Sequence, residues 1–392
     1  MGKQTDLIEG NISKALLVFA VPLLIGNLFQ QLYNTADSYV VGNFVDTNAL
    51  AAVGASASVI QMLVGFFMGL SVGAGVVIAQ YFGAGQKEKM SQAVHSALAL
   101  TVLLSALFTV AGIALTRPLL RAIGVPQEVL PHSTLYLTIY FAGITFLLFY
   151  NMGSGILRAI GNSRDPLIYL AVASVLNVIL DVLLVCVARL GVAGVALGTM
   201  IAQAVSAYLV MRQLIRTSEA YRVELKKIRF HREMIRQILM VGLPAALQQS
   251  ITAFSNVVVQ SYINSFGTAA IAGYSTTIRI DGFLQLVLQS FNMTITTFVG
   301  QNIGARKTER VKQGIFIAWV MCSAIILAGS VWMNREGALL VSLFTDDAAV
   351  ITNGAAMLKM FSYAYWSLPV VQILSGALRG AGKSSIPMFF ML

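Results

Sequence analysis

The chain alternates long apolar stretches with short polar intervals. Ten stretches are long enough to cross a bilayer as helices, and an eleventh begins at residue 386. The predicted spans are residues 14–42, 49–80, 92–115, 132–158, 166–188, 191–215, 236–264, 269–301, 313–333 and 350–378. Because a membrane barrel shows short alternating strands instead of such runs, the pattern predicts an all-α integral membrane protein.

The same pattern occurs twice along the chain. Residues 154–166, SGILRAIGNSRDP, return as residues 375–387, SGALRGAGKSSIP, with seven of thirteen positions identical at an offset of 221. The same offset relates AQYFGAG at 79–85 to GQNIGAR at 300–306. Each copy begins on one side and has an even number of spans, so the halves share an orientation and form a parallel repeat.

This repeat predicts two lobes of six transmembrane helices each, twelve in all, of which about ten to eleven fall in this sequence. The second copy stops at the position equivalent to Ala171, so we expect a C-terminally incomplete C-lobe. The predicted parts are an N-lobe at 1–215, a basic cytoplasmic linker at 216–235 and a C-lobe at 236–392. The linker suits either a solvated connector or an amphipathic helix on anionic lipid.

Composition supports a membrane protein and charge gives it an orientation. Hydrophobic residues make up 57% of the chain and charged residues 11%, against about 25% charged in soluble domains. The net charge of +10 does not indicate nucleic acid, because most of the 26 Lys and Arg, including Arg158 and Arg379, fall at one set of helix ends. The positive-inside rule then predicts a cytoplasmic N-terminus in a multi-pass cell-membrane protein.

Ionisable residues inside predicted spans are candidates for function, because a charge at the bilayer centre costs about 2.5–3.5 kcal/mol. Asp37 and Asp181 reach a similar depth in the first and fifth spans, at about 1.5 Å of rise per residue. Tyr33 and Asn177 precede them by one helical turn, and Thr199 of the sixth span lies at the same level. Two acids in a low-dielectric pocket repel each other, which favours uptake of a proton, or of a monovalent cation, by the pair. The alternative is that Asp37 only caps polar backbone.

The predicted C-lobe offers a different charge set. Arg279 and Asp281 of the eighth span, with Lys359 of the tenth, form a possible charge network, structural or functional. His95, His132 and His231 lie in separate segments, and no G-x-x-x-x-G-K phosphate loop occurs. We therefore expect no enzyme activity, no cofactor and no metal centre.

Several motifs resemble the multidrug and toxic compound extrusion (MATE) family. They are LYNTADSYVVGNFVDTNALAAVG at 32–54, the AQYFGAG and GQNIGAR turns, and the paired SGxLRxxGxSxxP loops. The motif G-x-x-x-D-R-x-G-R of another large two-lobe transporter superfamily is missing, since that loop reads GAGQKEKMSQ. The resemblance implies a bacterial, monomeric, secondary-active antiporter that exports amphipathic, often cationic compounds by alternating access.

The resemblance also implies roles for residues. Proton-coupled members line an N-lobe cavity with an Asp of the first helix and an Asn/Asp pair of the fifth, beside a Tyr and a Thr. The matching positions are Tyr33, Asp37, Asn177, Asp181 and Thr199. The sodium-coupled branch carries acids in its seventh and tenth helices, where this chain has Gln248, Gln249 and Lys359, so sodium coupling there is doubtful.

Two rival functions remain. A lipid-linked oligosaccharide or lipid flippase lines its cleft with several Arg and Lys, whereas only Arg279 and Lys359 are predicted within helices here. A passive channel or a membrane receptor accounts less well for a two-lobe repeat with paired acids.

Overall fold

A computed structural model describes residues 5–45 and 47–391, and every regular element in them is helical. Twelve α-helices follow in chain order among these residues. They are α1 (Ile12–Phe44), α2 (Thr47–Gly83), α3 (Lys87–Ala122), α4 (Leu130–Ala159), α5 (Arg164–Asp181), α6 (Val192–Arg216), α7 (Arg232–Ile263), α8 (Thr268–Gly304), α9 (Thr308–Ser342), α10 (Ala348–Ala364), α11 (Leu368–Gly380) and α12 (Ser385–Met391). An all-α membrane architecture is confirmed.

The two-lobe repeat is visible in the helix boundaries. α2 begins at Thr47 and α8 begins 221 residues later, at Thr268. The same offset separates the ends of these helices at Gly83 and Gly304. α3 and α9 begin 221 residues apart as well. The predicted parallel repeat is therefore consistent with the fold.

The first helix of each half packs into the core of the other half. Leu16 and Phe19 of α1 belong to a buried cluster formed mainly by α8, α9, α10 and α11. Ile238 of α7 belongs to a cluster formed mainly by α2, α3 and α4. The boundaries predicted at 1–215, 216–235 and 236–392 stay a prediction, but the packing shows that α1 and α7 connect the two halves.

The predicted span 350–378 is wrong as a single helix. The structure divides it into α10 and α11, with a turn at residues 365–367. Pro369 explains the break, because proline has no N–H for an intrahelical bond and its ring clashes with the preceding turn. The equivalent helix α4 has Leu148 at that position and is continuous.

Eight helices in the described residues are long and apolar enough to cross a membrane. α8 and the shorter helices α10, α11 and α12 do not meet those length and composition limits. The other nine predicted spans match helices to within nine residues at each end.

The linker contains no α-helix between residues 217 and 231, only a short 3₁₀ turn at Leu225–Lys227. The connector interpretation is therefore favoured over an amphipathic helix. It is not freely solvated, because the buried His95 of α3 accepts a hydrogen bond from the Glu224 amide at 3.0 Å. Ser96 of α3 also contacts His231 at 3.1 Å.

Candidate functional site

The structure brings the predicted N-lobe acids together. Asp37 of α1 is 7% exposed and Asp181 of α5 is fully buried. Their carboxyl groups are neighbours, and Asn177 adjoins Asp37. The Thr199 hydroxyl of α6 lies 3.4 Å from Oδ2 of Asp37 and 3.0 Å from the Val195 carbonyl, so it donates to one or shares its proton between them. α1, α5 and α6 thus build one polar site inside an apolar lobe.

Local backbone features shape this site. Asn177 and Asp181 lie one turn apart, so both side chains face the same direction from α5. Directly after Asp181 the α-helix becomes a π-helix, Val182–Val187, a rare form that often marks functional positions. Opposite Asp181, Gly198 lets α6 approach, because an added Cβ there would lie 2.6 Å from Oδ1 of Asp181.

Several polar atoms of the site make no hydrogen bond within the part of the chain that the structure describes. Among the described residues, Oδ1 of Asp37, both Asp181 oxygens and both amide atoms of Asn177 have no hydrogen-bond partner. Beside them lies a small cavity of about 10 Å³, close to the room that one water needs. Tyr33 and Gln203 line it together with Asn177 and Thr199. Unpaired buried carboxyls suit the binding of a proton or a small cation.

Gln203 belongs to this site and the sequence reasoning missed it. It is 5% exposed and lies on α6 one turn after Thr199. The i, i+4 spacing that related Tyr33 to Asp37 applies here too, so the signal was available in the sequence.

The predicted C-lobe charge network is wrong. Arg279 and Lys359 are exposed, and no salt bridge in the described part of the chain connects either to Asp281. Residues two apart on a helix point to different faces, so Arg279 and Asp281 cannot share a partner. Asp281 instead accepts a hydrogen bond from the Tyr365 hydroxyl, which the α10–α11 break presents to α8. A second one, from Gln285, is longer at 3.5 Å.

A central cavity of about 230 Å³ lies between the two halves. Five helices contribute to its lining, namely α2, α4, α7, α8 and α11. Amide side chains dominate its polar surface: Gln248, Gln249, Gln285, Gln289, Asn292 and Gln372. The site is wide enough for an organic molecule, unlike the small N-lobe cavity.

Two arginines line the central cavity, which corrects the sequence interpretation. The sequence predicts Arg158 and Arg379 at cytoplasmic helix ends and only Arg279 and Lys359 within helices, which is its reason for disfavouring a flippase. In the structure Arg158 of α4 and Arg379 of α11 face the cavity, whereas Arg279 and Lys359 do not line it. Both lie near the last turn of their helix, and their long side chains reach inward.

Past the arginines, four helix ends close the cavity through a pair of equivalent hydrogen bonds. Gln80 of α2 donates to the Gly380 carbonyl at 2.9 Å, and Gln301 of α8 donates to the Ala159 carbonyl at 2.7 Å. Donors and acceptors are both related by the offset of 221. We call these two hydrogen bonds the latch. Gly83 and Gly304 allow it, because a Cβ at either position would collide with the facing backbone.

The N-terminal segment crosses the same end of the molecule. The Thr5 amide donates to the Gly161 carbonyl at 3.0 Å, between α4 and α5. On the other half, Asn302 donates to the Leu7 carbonyl at 3.0 Å, and Arg310 donates to the Glu9 and Gly10 carbonyls. The segment therefore ties the two halves together at the closed end of the cavity.

Comparison with known proteins places the chain in a family. The MatE family model matches residues 22–183 and residues 244–392. The probable multidrug resistance protein YpnP of Bacillus subtilis is 30% identical over 385 residues, which cover 97% of this chain and 85% of that protein. The multidrug export protein MepA of Staphylococcus saprophyticus is 24% identical over 375 residues, covering 96% and 83%.

A solved structure has the same fold. The outward-facing conformation of a multidrug resistance MATE family transporter has a TM-score of 0.92 and 24% identity, covering all of this chain and 87% of that one. The two family-model matches fall on the two copies of the repeat. The chain therefore belongs to the MatE family of multi-pass membrane transporters.

Proposed function

We propose that the chain exports amphipathic compounds in exchange for protons, and that the Asp37–Asp181 pair carries the proton. The observation that supports this most is the burial of two adjacent carboxyls with unpaired oxygens in the described residues. Two buried negative charges side by side are costly, and a proton bound by the pair removes one of them. Multidrug export itself is supported by the relatives, YpnP and MepA.

Proton binding by the Asp37–Asp181 pair can affect the opposite half through α1. Its outer part carries Asp37, while Leu16 and Phe19 pack in the core of the opposite half. Pro22 lies between them and leaves a position in α1 where a bend is cheap. A proton arriving at Asp37 therefore changes the packing of a helix that both halves share, as alternating access requires.

Sodium is the rival coupling ion. Oxygen atoms of Asp37, Asn177, Asp181 and Thr199 are also suitable ligands for a monovalent cation. The proton is preferred because it bonds to a single carboxyl oxygen and needs no further ligands, and the cavity beside the pair is only about 10 Å³. Lipid flipping is disfavoured, since the relatives are named as multidrug proteins. The cationic substrates implied by the family resemblance stay a prediction.

The experiment uses the full chain in proteoliposomes loaded with ethidium in one series and with 8-anilinonaphthalene-1-sulfonate in another. A pH gradient or a sodium gradient is then imposed, and dye movement is recorded. We expect dye to move in response to the pH gradient and not in response to the sodium gradient. This movement should be lost in Asp37→Asn. It should be retained in Asp281→Asn, which removes an acid of the other half. Dye movement driven by the sodium gradient alone would show that sodium, and not the proton, is the coupling ion. Transport by Asp37→Asn at the wild-type rate would show that Asp37 has no role in coupling.

A further inference from the structure

The two cavity arginines form a symmetry-related pair. Arg158 and Arg379 are separated by the repeat offset of 221, so each half supplies one guanidinium group to the same cavity. Both side chains are partly buried between the halves. A bound molecule that reaches both would therefore touch both moving parts of the transporter.

Neither arginine has a carboxylate partner in the described residues. No salt bridge there involves Arg158 or Arg379, and no Asp or Glu is among the described residues that line the cavity. Arg379 donates to Oε1 of Gln248 at 3.1 Å and to Oδ1 of Asn292 at 2.5 Å, while its Nε is buried without a partner. Amide oxygens solvate a guanidinium but do not neutralise it.

Two partly buried positive charges without a counter-ion are unfavourable, and a bound anion relieves that cost. The planar guanidinium presents paired N–H donors that match a carboxylate, sulfonate or phosphate group. The surrounding amides, such as Gln249 and Gln372, supply further N–H donors. Met68, Val72 and Met293 line the same cavity and offer adaptable apolar contacts.

We propose that the central cavity binds amphipathic organic anions, with the acidic group held between Arg158 and Arg379 and the apolar body against Met68, Val72 and Met293. This binding proposal names the substrate class of the proposed export. For the transport step it rests on that proposed function. The cavity of about 230 Å³ is large enough, since a cavity of about 150 Å³ holds benzene. A cation of the same shape meets two like charges in this cavity and is disfavoured.

Binding is tested with two probes of one shape and opposite charge, naphthalene-1-sulfonate and trimethyl(1-naphthyl)ammonium. Equilibrium dialysis uses the full chain in phosphatidylcholine nanodiscs, with empty nanodiscs subtracted. We expect the sulfonate to bind at least about tenfold more tightly than the ammonium. Equal affinities, or tighter binding of the ammonium, would overturn the proposal.

Variants assign the effect to the arginines. Arg158→Gln and Arg379→Gln should each weaken sulfonate binding by about tenfold. Arg279→Gln, which removes an exposed arginine outside the cavity, should leave it unchanged. Arg158→Lys and Arg379→Lys keep the charge and should retain part of the affinity, and thermal unfolding checks that every variant is folded. Unchanged binding in folded Arg158→Gln and Arg379→Gln would overturn the proposal.

An anionic lipid headgroup carries the same chemistry as a free amphiphile. Repeating the dialysis in nanodiscs with added phosphatidylglycerol separates the two sources. Weaker sulfonate binding in the presence of phosphatidylglycerol would place a lipid headgroup in the cavity, whereas unchanged sulfonate affinity supports a site for free amphiphiles. Failure of the proton proposal is distinguishable, because sulfonate binding is measured without a gradient and does not require Asp37.

Discussion

At the scale of single residues, the N-lobe site depends on close packing as much as on its acids. Gly198 is the residue that brings α6 against Asp181. A methyl group at this position would have to displace a carboxyl oxygen or separate the helices. Thr199, the next residue, would then lose its position near Asp37.

We predict that Gly198→Ala lowers proton-driven transport by about tenfold or more, a shift expected from a misplaced site group. The measurement is dye movement under a pH gradient. Gly282→Ala of α8 serves as the control, because a Cβ there meets nothing within 4 Å. If Gly198→Ala transports as well as Gly282→Ala, the spacing between α6 and Asp181 does not matter for coupling.

Sequence spacing predicted which residues share the N-lobe site, because helical periodicity fixes the faces of Tyr33, Asp37, Asn177 and Asp181. It did not predict the central cavity. Counting basic residues by position assigned Arg158 and Arg379 to the membrane boundary, whereas long side chains reach back along their helix into the cavity. Pairing across helices, such as Asp281 with Tyr365, depends on tertiary packing that spacing does not contain.

At the scale of helices and segments, two histidines, His95 and His231, attach the linker to α3. Nδ1 of His95 donates to the Ser91 carbonyl, which leaves Nε2 to accept from the Glu224 amide. Nε2 of His231 accepts from Nε of Arg229. Partial burial, followed by the nearby Arg229 and His95, lowers the pKa of His231 below its ordinary value.

We predict that linker docking weakens as the solution becomes acidic. Because the pKa of folded His231 is lowered, its contribution is complete above the ordinary histidine value of about 6.5 and is lost as pH falls through the lowered value. Hydrogen exchange of residues 223–231, corrected for intrinsic rates, should show less protection in acid than near neutral pH. His231→Gln should reduce this dependence, and an undiminished dependence would contradict its assignment to His231.

The latch is the second element-scale feature, and it holds the cavity closed at one end. Removing both donors in Gln80→Leu with Gln301→Leu costs two hydrogen bonds, each worth about 1 kcal/mol, so the open population should rise about tenfold or more. Access is read by maleimide labelling of Thr297→Cys from the latch side, after Cys186 and Cys322 are changed to Ala. Gln127→Leu, an exposed glutamine between α3 and α4, is the control. Equal labelling of the control and the double variant would show that the latch does not hold the cavity closed.

The break between α10 and α11 and the packing partners of α1 and α7 could not be predicted from hydropathy. An apolar run continues across Pro369, so hydropathy predicts one span where the structure has α10 and α11. Hydropathy also says nothing about which half a helix packs against. The packing of the first part of α1, and of α7, in the core of the opposite half appears only in the buried clusters.

At the scale of the whole molecule, two copies of one unit create a cavity between them and a latch at its end. Cavity arginines, latch donors and latch acceptors all obey the same offset of 221. The repeat was readable from sequence because those residues are chemically identical or small in both copies. The closed end carries the linker and the N-terminal segment as well.

The orientation in the membrane stays a prediction with a direct test. The latch, the linker and most basic residues lie at ends that the positive-inside rule assigns to the cytoplasm. A cysteine in place of the exposed Ser218, in a background with Cys186 and Cys322 changed to Ala, should resist an impermeant maleimide in intact cells. Permeabilised cells provide the positive control. Prompt labelling in intact cells would invert the topology.

The central claim is that protons cross the membrane through the Asp37–Asp181 pair during export. The most direct measurement is proton flux into proteoliposomes that contain a trapped pH indicator, driven only by a gradient of ethidium or of naphthalene-1-sulfonate. The account predicts that the gradient of naphthalene-1-sulfonate, the anion, moves protons in the wild-type protein and in Asp281→Asn. It predicts no flux in Asp37→Asn or Asp181→Asn, even though both variants unfold at the wild-type temperature. Substrate-driven proton flux that persists in a folded protein carrying both Asp37→Asn and Asp181→Asn would contradict it.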